Sequence, residues 1–88
     1  MNEKELEKQL KALANRRRLA ILKYLKKNHE ANVSEIAGAI HLSFKSTSRH
    51  LNTLATLDIV EKEQRSLQMF YFISRNNISV VKNILSVL

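Results

Sequence analysis

The sequence contains no cysteine and only one glycine among its 88 residues. The lack of cysteine excludes disulfides, thiolate metal sites and cysteine nucleophiles. The single glycine, Gly38, leaves no glycine-rich phosphate loop, and the chain shows neither a Ser-His-Asp order nor a clustered carboxylate pair. We therefore predict that the protein is not an enzyme and carries no cofactor.

Long apolar runs are also missing. None approaches the roughly 20 residues that cross a bilayer, and the N-terminal stretch MNEKELEKQLKAL is too charged for a signal peptide. With 44% hydrophobic and 26% charged residues, the composition is that of a soluble globular protein. Because 88 residues suffice for one core but not for two, we expect one cytoplasmic domain over residues 1–88, without a membrane partner.

Acidic residues are few and unevenly placed. Fifteen Lys and Arg stand against eight Asp and Glu, which gives a formal net charge of +7, and residues 36–57 contain no acid at all. A basic chain favours a polyanion as its partner. Many small proteins are basic only for solubility, so the position of the charges carries more information than their number.

Four segments have the apolar spacing of amphipathic helices. Asn15, Asn32 and Ser43 are suited to cap the second, third and fourth of them, and Glu35 forms a capping box with Asn32. The residues expected to face inward from the second and fourth helices are Leu19, Leu22 and Leu25, and Thr47, Leu51 and Leu54. Two short helices joined by the brief turn at residues 41–42 predict a helix-turn-helix.

After Asp58 the apolar period changes. The segment IVEKEQRSLQMFYFI predicts two short strands around a polar turn at residues 64–66, which form a wing. The final segment NNISVVKNILSVL predicts a helix capped by Asn76 or Asn77, with one apolar stripe of Ile78, Val81, Leu85 and Leu88 and another of Val80, Ile84 and Val87. A small protein does not need both stripes for its own core. The predicted fold class is mainly α with a small β-hairpin, a winged helix-turn-helix of order α-α-α-α-β-β-α.

The segments LANRRRLAILKYL, VSEIAGAIHLSFKSTSRHLNTLATLDIV and FYFIS resemble the arsenic-repressor (ArsR/SmtB) group of winged-helix regulators. The resemblance runs without gaps from about Leu10 to Ser74. It implies a homodimer that binds operator DNA through the fourth helix and the wing and pairs through its first and last helices. We assign these dimerisation helices to residues 1–14 and 77–88, with the interface residues Leu6, Leu10, Leu13, Val81, Ile84, Leu85 and Leu88.

The chain departs from the metal sensors of that group. Asn32 and Ser34 stand where such sensors often carry a Cys-x-Cys pair, and the last helix offers only Lys82, Asn83 and serines besides apolar side chains. The three histidines lie on different elements without metal-ligand spacing, and His50 is more simply a packed or phosphate-contacting imidazole. We therefore expect no bound metal.

The outer face of the fourth helix carries the candidate DNA-binding residues. Arginine can fork onto guanine, asparagine onto adenine, and serine can contact bases or phosphates. The alternative is a solvated helix face, but surface helices usually mix charges of both signs. Phe44 either touches a thymine methyl or, as we favour, packs in the core at the start of the third helix. The candidates on this helix are Ser43, Phe44, Lys45, Ser46, Ser48, Arg49 and Asn52.

Four arginines outside that helix are further candidates. Arg16, Arg17 and Arg18 occupy the first turn of the second helix, where the macrodipole disfavours cations. An anion is expected to compensate: an acid of a partner's first helix, Glu35, or a DNA phosphate. The resemblance makes Arg18 a structural ion-pair residue, while Arg16 and Arg17 contact phosphate. Arg65 either reaches the minor groove or backbone from the wing tip, or is a polar turn residue.

Together these features predict a sequence-specific transcriptional regulator, a repressor, that binds double-stranded DNA as a metal-independent homodimer. One alternative is a winged-helix interaction module for an acidic protein or RNA. The other is a nonspecific DNA-binding protein.

Overall fold

The computed structural model describes every residue from Met1 to Leu88. Its helices are α1 (Glu3–Leu13), α2 (Arg16–Asn28), α3 (Val33–Ile40), α4 (Phe44–Thr56) and α5 (Ser79–Ser86), and its strands are β1 (Ala31–Asn32), β2 (Val60–Arg65) and β3 (Gln68–Ile73). The predicted winged helix-turn-helix is confirmed, with the short strand β1 as an addition. No helix has the length and apolar character needed to cross a bilayer.

Side-chain caps begin four of the five helices. Asn15 accepts a hydrogen bond from the amide of Arg18 at 3.1 Å, and Ser43 accepts one from the amide of Ser46 at 3.1 Å. Asn32 and Glu35 form both bonds of the capping box, each at 2.9 Å. The three caps predicted from the sequence are therefore confirmed, and Asn2 adds a fourth at the start of α1.

The predicted cap of α5 is wrong. Its N-cap position is Ile78, which makes no side-chain capping bond. Asn77 is buried instead, and its amide donates to the carbonyl oxygens of Ile59 at 3.1 Å and Ser74 at 2.8 Å. These two bonds hold the Asn77 side chain on backbone acceptors at the base of the wing, and it makes no capping bond to α5.

Left-handed backbone appears at four residues other than glycine: His29, His41, Asp58 and Ser66. Asp58, a residue type that tolerates this conformation, has a φ of 59°. Helix α2 includes Asn28, whose side-chain amide donates to the carbonyl of Tyr24 at 2.9 Å. His29 follows as the C-cap with a positive φ.

The three strands form an antiparallel sheet in the order β1-β3-β2. The wing pairs Val60 with Ile73 at its base and Arg65 with Gln68 at its tip. The turn falls at residues 66–67, slightly later than predicted, because residues 64 and 65 belong to β2.

One hydrophobic core lies between the helices and the base of the sheet. The predicted inward residues Leu22, Leu25, Thr47, Leu51 and Leu54 are buried, whereas Leu19 is half-buried. Two residues assigned to a dimer interface lie inside this core: Leu13 is 3% exposed and Val81 is fully buried. Those two assignments are wrong, because a side chain within the protomer's own core cannot cover a partner.

Candidate nucleic-acid interface

Helix α4 separates its side chains into an apolar side and a polar outer side. Thr47, Leu51 and Leu54 are fully buried and fix the helix on the core. Lys45, Arg49 and Asn52 lie on the opposite side and are exposed. Ser46 and Ser48 are half-buried at the borders, and Ser43 is exposed at the N-terminus.

The cations of this outer face have no carboxylate partner. The three salt bridges of the chain join Lys11 to Glu7, Arg65 to Glu30 and Arg65 to Glu63. Because no acid lies between residues 36 and 57, neither Lys45 nor Arg49 gains an i, i+4 pair on its own helix. Both charges are available to an external anion.

Phe44, at the first position of α4, does not join the core as favoured from the sequence. Its side chain is 59% exposed. It lines a shallow depression with Val33 of α3 and Leu67 and Met69 of the wing. Phe44 therefore lies at the end of α4 that is next to the wing tip, and its ring is open to a partner.

The arginines at the start of α2 are held by neutral groups. Arg17 donates to the carbonyl of Ile40 at 3.3 Å. Arg18 donates from Nε to Nδ1 of His50 at 3.3 Å and from Nη1 to the carbonyl of Ala12 at 3.2 Å. The ion pair implied for Arg18 is therefore not formed within the protomer, and its charge is not neutralised there. Arg16 is exposed.

The electrostatics around His50 reflect these uncompensated charges. Partial burial, followed by the positive charges of Arg18, Arg49 and Arg17, lowers the pKa of the His50 imidazole below its usual value of 6.5. The ring accepts a hydrogen bond from Arg18, so Nδ1 must be unprotonated in this arrangement. The local potential favours an anion over a further proton.

The wing presents its arginine differently. Arg65 forms ion pairs with Glu30 and Glu63, and its guanidinium lies 4.7 Å from the ring centroid of Phe70. The Glu30 and Glu63 carboxylates raise the pKa of Arg65, and the Arg65 guanidinium lowers the pKa of the Glu30 carboxyl. At the tip, Leu67 is 96% exposed. The wing therefore presents an apolar side chain at its tip, beside an arginine that is already paired.

A basic cleft of about 520 Å³ lies between α1 and α4. Lys8 and Lys11 line one side and Arg49 and Asn52 the other, with Arg18 between them. We did not identify the two lysines as site residues from the sequence, where they read as the solvated side of an amphipathic helix. Their i, i+3 spacing was visible, but their position opposite α4 depends on how α1 packs.

Apolar side chains remain uncovered on α1 and at the end of α5. Leu10 is 41% exposed and Val87 is 81% exposed. The other uncovered side chains, each half-buried, are Leu6, Ile84, Leu85 and Leu88. Among histidines and acids, no three side chains are grouped closely enough to hold a metal ion.

The family model described as "Bacterial regulatory protein, arsR family" matches residues 15–62. That range runs from the N-cap of α2 into β2, and covers more than half of the chain. The chain belongs to the ArsR family. ArsR-family proteins are transcriptional regulators rather than enzymes, which confirms the non-enzymatic class predicted from the sequence.

Two curated ArsR-family relatives extend the match. "Transcriptional activator HlyU" of Vibrio cholerae is 34% identical over 92 residues, covering 97% of this chain and 84% of HlyU. "Cadmium resistance transcriptional regulatory protein CadC" of Listeria innocua is 36% identical over 63 residues, covering 72% of this chain and 53% of CadC. The match to CadC thus takes in about half of that protein.

Solved ArsR-type structures agree with the fold. Reduced HlyU from Vibrio cholerae superposes with a TM-score of 0.82 at 33% identity, covering 99% of this chain and 87% of HlyU. The homodimeric winged helix-turn-helix DNA-binding domain of Mb0332 from Mycobacterium bovis superposes with a TM-score of 0.81 at 28% identity, covering 96% and 74% of the two chains.

Proposed function

We propose that this ArsR-family protein is a homodimeric repressor that binds a specific sequence of double-stranded DNA through α4. The observation that carries the proposal is the outer face of α4, where Lys45, Arg49 and Asn52 are exposed and neither cation has a carboxylate partner. A helix of this width fits the major groove. DNA phosphates and base edges would supply the acceptors that the chain itself lacks.

The residues of this face have two proposed roles, contacts to bases and contacts to phosphates. Arg49 forks onto guanine and Asn52 onto adenine, and since they lie one helical turn apart they meet neighbouring base edges. Lys45, Ser43, Ser46 and Ser48 surround them and bind phosphates or bases. Phe44 is open to a thymine methyl. Arg16 and Arg17 add phosphate contacts at the start of α2, whereas Arg65, being already paired, is left out of the proposed contacts.

Dimerisation through α1 and α5 would place two such helices on one duplex. The uncovered apolar residues Leu10, Ile84, Leu85, Val87 and Leu88 support this pairing, because a second copy would remove them from water. The similar DNA-binding domain of Mb0332 from Mycobacterium bovis is homodimeric. Two recognition helices about 34 Å apart would enter successive major grooves of a nearly palindromic site.

The proposed regulation is metal-independent repression. Repression requires only that the dimer occupy promoter DNA, whereas activation needs a further contact. The chain has no cysteine, and Asn32 and Ser34 stand at the start of α3, so no thiolate is available for a soft metal. HlyU is named an activator. In vitro transcription from a promoter that carries the bound DNA site decides whether this protein represses or activates. The same assay with and without EDTA decides whether it requires a metal.

Selection from random duplex DNA tests the main proposal. We expect a nearly palindromic consensus whose affinity falls about 10³- to 10⁵-fold between 50 and 200 mM salt, if the dimer makes some 6 to 10 phosphate contacts. Recovery of no consensus, or tighter binding to single-stranded RNA than to duplex DNA, would contradict the proposed DNA binding. Sedimentation of Val87→Lys, at the C-cap of α5, tests the dimer interface, and Asn83→Lys within α5 is the matched control.

A further inference from the structure

The cleft between α1 and α4 is not explained by base reading or by dimerisation. Four cations line it, Lys8, Lys11, Arg18 and Arg49, and no acid does. Arg18 is half-buried there and bonds only to the His50 ring and the Ala12 carbonyl. Both acceptors are neutral, so the cleft holds several positive charges without an internal counter-charge.

Nearby acids do not cancel this charge. Lys11 approaches Glu7 at 3.9 Å, but their side chains are 76% and 65% exposed, so water screens the pair and Lys11 can leave it. Glu5 and Asp58 line the next depression, beyond Lys8. They mark where the cationic surface ends, and they form none of the salt bridges of the chain.

The extent of the cationic surface favours a polyanion over a small anion. Lys8 and Lys11 lie about 5 Å apart along the axis of α1, and Arg18 and Arg49 add two further charges to the same cleft. One DNA strand advances about 3.4 Å per phosphate along the duplex axis, so these four cations can meet more than one phosphate. A single small anion would engage only part of this surface.

The cleft is also continuous with the proposed reading face. Arg49 and Asn52 belong to both: they line the cleft and lie on the exposed side of α4 next to Lys45. A strand whose bases meet α4 in the major groove has its backbone at the groove edge. That backbone would run beside α4, where α1 forms the other side of the cleft.

We propose that this cleft holds a segment of DNA backbone, and that Lys8 and Lys11 of α1 are phosphate-binding residues. The inference rests on the proposed function and adds a contact from a helix otherwise assigned to pairing. Backbone contacts carry no sequence information. The two lysines therefore set the affinity and its salt dependence, while α4 sets the preferred sequence.

The test is a salt titration of the double variant Lys8→Gln/Lys11→Gln. Binding of the full chain to the selected duplex and to a scrambled duplex is followed by fluorescence anisotropy from 50 to 200 mM KCl. The double variant lacks four phosphate contacts per dimer. Its affinity should therefore decrease between 50 and 200 mM KCl by a factor roughly 100-fold smaller than that of the wild type. The ratio of the two affinities should stay unchanged.

The matched control is Lys23→Gln/Lys27→Gln, which removes the same charge from exposed positions of α2. Equal slopes for the two double variants would show a net-charge effect and overturn the inference. Inorganic phosphate is also titrated into the free protein at fixed ionic strength, and NMR shifts at Lys8 and Lys11 are recorded. If phosphate shifts these signals while Lys8→Gln/Lys11→Gln keeps the salt slope of DNA binding, the cleft binds a free anion. That result would also overturn the inference.

The outcomes separate this inference from the function on which it rests. If the wild type binds neither duplex at 50 mM salt, the proposed function fails. If the wild type binds and Lys8→Gln/Lys11→Gln keeps its slope, only the role of the cleft fails. Sedimentation and thermal melting of both double variants check that each assembles and folds like the wild type.

Discussion

Helix α4 and the wing both offer arginine to a partner, yet they offer it in different states. On α4, Arg49 is exposed and has no carboxylate within the chain. On the wing, Arg65 contacts Glu30 and Glu63 and lies over Phe70. In the sequence Arg49 lies in a stretch without acids and Arg65 lies two residues from Glu63. The fold adds Glu30 as a second partner of Arg65.

We infer from this difference that unpaired positive charge, rather than total positive charge, favours α4 as the proposed interface. A paired arginine must give up its carboxylates before it binds a phosphate, and the exchange of one anion for another gains little. An unpaired arginine pays no such cost. The wing also carries Glu61 and Lys62 beside Glu63 and Arg65, so its two strands have no net charge. We therefore expect α4 to dominate DNA affinity.

The largest effect is expected from Arg49→Ala. Loss of a bidentate contact to guanine costs about 1–3 kcal/mol of discrimination against the wrong base in each half-site. Repeated selection from random DNA should show one position per half-site losing its preference. Lys45→Ala is the comparison, because loss of a phosphate contact weakens all sequences alike. An unchanged consensus for Arg49→Ala would exclude direct reading by this residue.

The second prediction tests whether the ion pairs of Arg65 prevent the wing from binding DNA phosphates. In Glu30→Gln/Glu63→Gln, Arg65 loses both carboxylates and becomes free for phosphate. The dimer then gains two contacts, and its affinity should fall about tenfold more steeply between 50 and 200 mM salt than that of the wild type. Arg65→Ala alone should change DNA affinity less than twofold. A large loss in Arg65→Ala would reverse the contrast between α4 and the wing.

The third prediction concerns the buried side of α4 and affects stability rather than DNA binding. The hydroxyl of Thr47 is fully buried and has no hydrogen-bond partner. Thr47→Val replaces it with a methyl group of similar size, so the free energy of unfolding should rise by about 1–3 kcal/mol while DNA affinity stays unchanged. Thr56→Val is the control, since that hydroxyl is exposed and donates to the Asn52 carbonyl at 2.8 Å. Denaturant unfolding measures both.

The smallest effect is a shift in one titration. Because burial and three arginines hold the pKa of His50 below 6.5 in the free protein, its contribution to stability is present above that pH and is lost as the pH falls through the lowered pKa. Bound phosphates near Arg18 and Arg49 should raise this pKa. NMR of the imidazole with and without duplex DNA measures the change; an unmoved pKa in the complex would place the backbone elsewhere.

Local features of the sequence were sufficient to predict most of the fold. The caps at Asn15, Asn32 and Ser43 lie within three residues of the amides they bind, so the chain itself brings them together. The spacing of Thr47, Leu51 and Leu54 likewise fixes which side of α4 is buried. The strand β1 was not predicted, because two residues are too few to show an alternating apolar pattern. Its pairing also depends on β3, which lies about 40 residues further along the chain.

The failures were those that depend on distant partners. Leu13 and Val81 carry the same apolar signal as true surface leucines, and only packing shows that they lie in the core. Glu30 and Arg65 are 35 residues apart and meet because β1 brings the end of α2 to the wing. The α1 lysines face Arg49 across the cleft for a similar reason.

The strand β1 ties the wing to the helices. Ala31 and Asn32 pair with Tyr71 and Phe70 of β3, and the Asn32 side chain, which caps α3, also donates to Gln68 at 3.3 Å. Bending the hairpin would therefore break sheet pairing and disturb a helix start at once. Moving the wing within one copy would therefore cost more than changing the distance between two copies. If a signal releases the proposed dimer from DNA, we expect it to act on that distance.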